Sequence, residues 1–225
     1  MAVPQANPIV PDPTILRLPT YLEYLLACRD AGQESLPSSQ IAEALGLTGI
    51  QVRKDLAWIS DSGKPRRGYP IDPLIEDIRT FLGYHREKIA FLAGAGHLGT
   101  ALLHYQGFAE YGIRIVAAFD TSQTLHGNMI GKTPVYPIEE LGRLAAEHNP
   151  QMLIICVPGD EAQAVADRCV EAGIKVIWNF APVTLRVDAD VVVENMNMAQ
   201  SLALLSNRAT MHQQRQLRDA EEGKE

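Results

Sequence analysis

Cysteine is scarce. Cys28, Cys156 and Cys169 are the three in 225 residues, odd in number, far apart and each among apolar neighbours. That argues against a disulfide framework and leaves small, reduced core residues. Histidine lacks metal-binding spacing: His85, His97, His104, His126, His148 and His212 form no H-x-x-x-H or H-x-x-E pattern, so no metal site is expected. No apolar run approaches the roughly 20 residues of a membrane span. The opening MAVPQANPIVPDP has neither the basic region nor the apolar core of a signal peptide. The expectation is a soluble, cytoplasmic protein with no membrane partner. Positive charge is also short, with 20 Lys and Arg against 27 Asp and Glu and a formal net charge of −7. Taken globally, that argues against a nucleic-acid binder. Locally it does not, because Arg53, Lys54, Lys64, Arg66 and Arg67 lie close together, opposed only by Asp55 and Asp61. A globally acidic protein can still present one basic face to phosphate.

With 46% apolar and 21% charged residues the chain reads as globular. Its length suits one domain of about 80 residues and one of about 120. After a proline-rich arm, Ile15, Leu18, Leu22, Leu25 and Leu26 recur at helical steps until Gly32. PSSQIAEALGL predicts a second helix with Ser38 or Ser39 as N-cap and Gly46 as C-cap. Thr48 then caps a third helix, TGIQVRKDLAWIS. Its inward set is Ile50, Val52, Leu56 and Ile59, leaving Gln51, Arg53 and Lys54 near one exposed face. Three helices with a short turn before a basic third one predict a helix-turn-helix. SGKPRRGYPI suits a β-hairpin wing beside that recognition helix. Ser39, Gln51, Arg53, Lys54, Lys64, Arg66, Arg67 and Tyr69 are the expected contacts to double-stranded DNA. DPLIEDIRTFLGYHRE is a fourth helix and linker.

From Lys88 the pattern changes. KIAFLAGAG is a buried strand running into a glycine turn, HLGTALLHY the helix after it, and IRIVAAFD a second strand ending in an acid. TPVY, QMLIICVP, KVIWNFAP and DVVVENM are further strands, with helices IEELGRLAAEH and EAQAVADRCVEAG between them. Strand and helix alternate, which predicts a doubly wound parallel sheet of the Rossmann type. The fold class is therefore α/β: a winged helix-turn-helix domain at 1–84, a Rossmann domain at 85–199, and a C-terminal helix and tail at 200–225.

Gly94, Gly96 and Gly99 follow a strand and open a helix, the context a dinucleotide turn requires. Ala95, His97 and Leu98 complete that turn. Its glycines permit the tight bend, close approach of pyrophosphate and close helix–sheet packing, while the helix N-terminus attracts phosphate. Asp120, about 20 residues on, is placed to hold the adenine ribose hydroxyls. No Arg follows it to greet a 2′-phosphate, so the cofactor is expected to be NAD(H). Val157 and Pro158, with Asn179 and Phe180, lie at the C-terminal ends of later strands, where the nicotinamide should rest. They are mostly apolar, which suits holding a ring more than reacting with one. Tyr84 to Lys88 has the Y-x-x-x-K spacing of short-chain dehydrogenases but precedes the first Rossmann strand, the wrong end of the sheet. The chain is thus not expected to be an enzyme.

RLPTYLEYL, QVRKDL, GAGHLGTALLHYQGF, AAFD, VADRCVEAGIK, NFAPV and VVVEN together resemble the bacterial redox-sensing repressor family Rex, from about Ile15 to Ser206. The resemblance implies a homodimer with domain-swapped C-terminal helices. It also implies binding to a two-fold operator when NAD⁺ or no cofactor is bound, and release on NADH. It places Met198 against the nicotinamide. It also marks a switch, a charge pair joined by a tyrosine, at Glu23, Tyr105 and Asn197. Here the chain departs from the family: Glu23 replaces a basic residue and Asn197 an Asp, so the charges are lost on both sides together. The wing departs too, reading Gly63-Lys64-Pro65-Arg66-Arg67-Gly68-Tyr69 instead of G-K-R-G-x-G-Y. Two alternatives remain open at this point: an NAD-binding regulator whose cofactor is structural, and a small NAD-dependent dehydrogenase.

Overall fold

The computed structural model describes residues 10–64 and 67–222, with side chains to 216. The chain divides into two units, Met1–Arg86 and Glu87–Glu225. The first contains α1 (Asp12–Asp30), β1 (Ser35–Leu36), α2 (Ser38–Leu45), α3 (Gly49–Leu56), β2 (Tyr69–Pro70) and α4 (Ile71–Leu82). Helix α1 begins before Thr14, because Pro13 falls in the first turn, where a missing N–H costs nothing. The N-cap position of α2 is taken by Pro37. Ser38 and Ser39 are its first two residues, and neither side chain caps it. Thr48 does cap α3, its hydroxyl accepting the Gln51 N–H at 3.2 Å. The helix stops at Leu56, short of Ile59, and the Ser60 hydroxyl then donates to Asp77 of α4 at 2.5 Å. Leu18, Tyr21, Leu25, Leu36, Val52, Leu56, Ile75 and Ile78 form one buried core under these helices.

The wing differs from the expected hairpin. Among the described residues its arms share one antiparallel bridge, Lys64 to Gly68, and β2 pairs instead with β1. Leu36 and Tyr69 stand opposite each other in that pairing and both enter the core. Burying this pair favours β1 over the polar arm before the tip as the partner for β2.

The second unit runs β3 (Lys88–Ala93), α5 (His97–His104), a 3₁₀ segment at Gln106–Tyr111, β4 (Ile113–Asp120), β5 (Met129–Ile130), β6 (Thr133–Pro137), a 3₁₀ turn at Ile138–Glu140, α6 (Leu141–His148), β7 (Met152–Ile155), α7 (Gly159–Glu171), β8 (Val176–Asn179), β9 (Val192–Asn195) and α8 (Met198–Glu222). The sheet order is β5-β6-β4-β3-β7-β8-β9. All neighbours are parallel except β5, a short edge strand paired antiparallel with β6 that the sequence reading did not include. In order of appearance the six parallel strands lie 3-2-1-4-5-6, so the direction of winding reverses between β3 and β7. Side chains alternate across the sheet. Phe91 and Ala93 face Leu141, Leu144 and Val165 of α6 and α7, whereas Ala90 and Leu92 face Leu102 and Leu103 of α5. Both faces are covered, and that is why these strands read as continuous apolar runs.

Helix α8 is exposed along its described side chains, with Leu202 at 63% and Leu205 at 64% exposure. Among the described residues no helix is long and apolar enough to cross a membrane. Among the same residues no group of three or more His, Cys, Asp or Glu is placed to hold a metal ion.

Candidate functional site

A cavity of about 560 Å³ opens at the reversal point, beyond the C-terminal ends of β3, β4 and β7. That volume lies in the range of pockets for cofactor-sized ligands. Its floor is the glycine turn. Gly94 has φ +94°, and a Cβ there would stand 2.6 Å from the Cys156 carbonyl, so β3 and the chain after β7 touch only because this residue is glycine. A Cβ on Gly99 would collide with the Gly94 carbonyl, so this glycine lets α5 sit against the turn. At Gly96 a Cβ would meet nothing within 4 Å. That open side faces the first turn of α5, whose free N–H groups attract anionic oxygen. A diphosphate fits this arrangement: close packing behind the turn, room in front of it, and partial positive charge at the helix end.

Asp120, at the end of β4, also lines the cavity. One carboxylate oxygen accepts the Ala95 N–H at 2.7 Å and the other the Ser122 N–H at 2.8 Å. Two of about four acceptor positions are thus used, and the others are free for ribose hydroxyls. Val157 and Pro158 also line its wall. Ile138, Glu139, Asp160, Glu161, Ala164 and Arg168 line it too, and the sequence reading did not select them. They come from the turn after β6 and from α7, where no motif marks them. Cys156 lines the cavity as well. Burial pushes its thiol up to about 12, and that of Cys169 likewise, so both stay protonated and unreactive at neutral pH.

Other expected cofactor residues lie elsewhere. Asn179 is buried, and its side chain is spent on the fold: the amide nitrogen donates to the Val183 carbonyl at 2.9 Å and to Asn195 at 2.8 Å, while its oxygen accepts the Ala181 N–H at 3.0 Å. Phe180 packs on Trp178, ring centres 4.8 Å apart, on the α5 side of the sheet. Met198 stands exposed at the start of α8. His97 and Leu98 are exposed on α5. Of the switch residues, Glu23 is exposed on α1, and Tyr105 is exposed with its ring edge-on to Phe108 at 5.0 Å. The Asn197 side-chain oxygen accepts the N–H of Ala199 at 3.0 Å and of Gln200 at 3.3 Å, capping α8. Asp at that position would do the same.

In the first unit α3 is held by a buried carboxylate. Asp55 is 1% exposed, and one of its oxygens accepts from Thr14 (2.9 Å), Arg17 (2.8 Å) and Gln51 (2.9 Å). The other accepts from Arg17 and Tyr21, each at 2.7 Å. Burial acts to raise its pKa, but the bonds from Arg17, Tyr21, Thr14 and Gln51 prevail and hold it at about 2. The sequence reading missed this hub. Its signal was an acid between Val52 and Leu56 on the inward face of α3.

This arrangement reverses two expectations. Gln51 is tied to Asp55 on the flank of α3, and Ile50, expected in the core, is 60% exposed. Val52 and Leu56 take the core side instead. Arg53 and Lys54 are exposed as expected, and the Arg53 guanidinium donates to the Ser38 hydroxyl at 3.2 Å. Arg53 and Ser38, with Pro37, Gly63, Lys64, Gly68 and Tyr69, line a cavity of about 460 Å³ between α3, the start of α2 and the wing. Tyr69 is buried rather than presented at the surface, and burial raises its hydroxyl pKa. Ser39, Lys64 and Arg67 are exposed, whereas Arg66 lies outside the described residues.

The chain matches known proteins in both units. Residues 9–57 match the family model of a putative DNA-binding protein N-terminus, and residues 85–183 that of a CoA binding domain. A redox-sensing transcriptional repressor Rex of Bacteroides thetaiotaomicron is 38% identical over 204 residues, covering 91% of this chain and 93% of that protein. The repressor Rex of Treponema denticola is 42% identical over 193 residues, 86% of this chain and 92% of its own. The crystal structure of RSP in complex with beta-NAD⁺ and operator DNA superposes with a TM-score of 0.86 at 33% identity, over 92% of this chain and 96% of that one. RSP in complex with beta-NADH gives 0.84 at 33% identity, over 92% and 98%.

Proposed function

The chain belongs to the redox-sensing transcriptional repressor Rex family, and we propose that it binds NAD(H) in the Rossmann unit and releases operator DNA when NADH replaces NAD⁺. The observation that carries this reading is the match of both units, in order and along almost the whole chain, to a repressor bound to NAD⁺ and operator DNA. The chain acts as a repressor rather than an enzyme. The CoA binding domain match is consistent with an NAD site, since the two ligands share an adenosine diphosphate portion.

The residues of the cavity divide the work. The Gly94–Gly99 turn and the N-terminus of α5 hold the diphosphate, and Asp120 accepts the ribose hydroxyls. Val157 and Pro158 wall the far end. When bound, NAD(H) supplies a nicotinamide that is charged and flat in one state and neutral and puckered in the other. Phosphate and ribose contacts are common to both forms, so they contribute affinity without discrimination. A ligand shifts an equilibrium only by its differential affinity for two states, so sensing belongs to the groups around the ring. The groups carried over for that task are the side chains of Phe180 and Met198 and the backbone at Asn179, whose side chain is held by the fold, with the switch at Glu23, Tyr105 and Asn197. The Asn197 oxygen already caps α8. Its amide N–H groups remain as donors at a position where the family has a carboxylate.

On DNA, α3 enters the major groove with Arg53 and Lys54, while Lys64 and Arg67 reach phosphates from the wing. A two-fold operator requires two copies. Met198, Leu202, Leu205 and Ala209 recur at helical spacing on exposed α8, an apolar stripe suited to exchange with a second chain. Such a repressor works in the cytoplasm.

The test is operator binding by the full-length protein as the NADH/NAD⁺ ratio is varied at fixed total nucleotide. Binding is expected at low ratio, release at high ratio, and a steep salt dependence throughout. Operator affinity indifferent to the ratio would overturn the sensing role and favour a structural cofactor.

A further inference from the structure

The first turn of α3 presents an aliphatic side chain where a polar one was expected. Ile50 is 60% exposed. It stands three and four residues before Arg53 and Lys54, so the three share one face of the helix. The neighbouring polar residue does not compete for that face, because the Gln51 amide is tied to Asp55 at 2.9 Å. The residue nearest the N-terminus of the exposed face, the part of a recognition helix that meets base edges, thus has no donor or acceptor.

Ile cannot bond a phosphate or the polar edge of a base. The major groove offers one apolar feature, the C5-methyl group of thymine. Ile suits it sterically, since β-branching leaves few χ1 rotamers and little side-chain freedom to lose on contact. It suits it energetically as well, because apolar surface that water covers in the free protein is removed from water by the methyl group. Arg53 and Lys54 on the same face supply charge and hydrogen bonds, and Ile50 adds a discrimination that neither can make.

We propose that Ile50 is a specificity-determining residue that packs against the C5-methyl of one thymine in each operator half-site. This rests on the reading of the chain as an operator-binding repressor.

The experiment begins with selection of operator duplexes from randomised DNA by the full-length wild-type protein. Each thymine of the selected site is then replaced by deoxyuridine, which removes the methyl and keeps every hydrogen-bonding group. One thymine per half-site is expected to matter, with a roughly three- to fivefold loss of wild-type affinity for each methyl removed. Ile50→Ala should bind the unaltered operator more weakly by a similar factor and show no further loss at that thymine. Ile50→Val, which keeps the branch, should retain part of the sensitivity. Unchanged helicity and NADH affinity of both variants separate this effect from misfolding. A wild-type protein indifferent to every thymine methyl overturns the proposal, as does an Ile50→Ala variant that keeps full sensitivity. Failure to select any duplex would overturn the operator reading itself, and that outcome is visible before any thymine is changed.

Discussion

Asp55 on α3 and Asp120 beside the glycine turn are both acids at least half-buried, and they are held in opposite ways. Asp55 is shut away from water and accepts hydrogen bonds from four side chains, three of them on α1 and far off in sequence. Asp120 is half-buried at a cavity wall and accepts two backbone N–H groups, one of them from the glycine turn itself. The first carboxylate has no capacity left for a ligand. It ties α3 to α1, and through α3 it sets the placing of Ile50, Arg53 and Lys54. The second braces the turn and still has acceptor positions facing the cavity. A fully satisfied buried acid organises the protein, and a partly satisfied one at a cavity organises a ligand.

Removing Asp55 is the strongest way to test that contrast. Asp55→Asn removes the charge and turns one acceptor oxygen into an amide NH2 facing the donors of Arg17 and Tyr21, and we expect the first unit to lose about 3 kcal/mol of stability. NADH affinity should not change, because the cavity belongs to the other unit. Unfolding followed by Trp58 fluorescence and calorimetric NADH titration measure the two effects. An Asp55→Asn protein as stable as wild type would make the hub a minor contact and end the comparison.

Acid gives a graded version of the same test. The Asp55 pKa is depressed from its ordinary 3.8 to about 2. Its contribution is therefore fully present above about pH 4 and lost as the pH falls through about 2. The shift corresponds to about 2 kcal/mol. The stability difference between wild type and Asp55→Asn should shrink by about that amount over this window, which cancels the titration of all other carboxylates. A difference independent of pH would show that the charge of Asp55 is not what the hub uses.

The smallest effect is expected at Asp120. Asp120→Ala should weaken NAD(H) binding by roughly tenfold, about 1.4 kcal/mol, through loss of the ribose acceptor and the brace on Ala95. The melting of the first unit should not move. If wild type binds NADPH as tightly as NADH, Asp120 does not face the ribose, and its likeness to a ligand-binding acid fails.

Much of the second unit was legible because its signals are local. Alternating strand and helix patterns, glycines at Gly94, Gly96 and Gly99, and an acid ending the next strand each follow from short-range geometry. The winged-helix order was legible for the same reason. The facing of α3 was not. Ile50 and Val52 are two apart and cannot both point inward in one short helix, so periodicity alone left its rotation open. Val52 and Leu56 took the core, Asp55 drew Gln51 to the flank, and Ile50 was turned outward. Asn179 shows a related effect. A polar residue at a strand end looks like a pocket group, yet its partners at Val183 and Asn195 come from a later loop and strand.

The amino-acid order by itself determined which segments become strands and helices, where the glycine turn falls and that two units follow one another, because backbone sterics and hydrophobic periodicity act over a few residues. Which side chains are consumed by the fold and which are left for a ligand was settled only when distant segments met. Glu139 and Arg168 reached the nucleotide cavity, Arg17 and Tyr21 reached Asp55, and Ser38 met Arg53 only then. Each buried polar group had to find a partner at that stage, and those pairings decide what remains to bind.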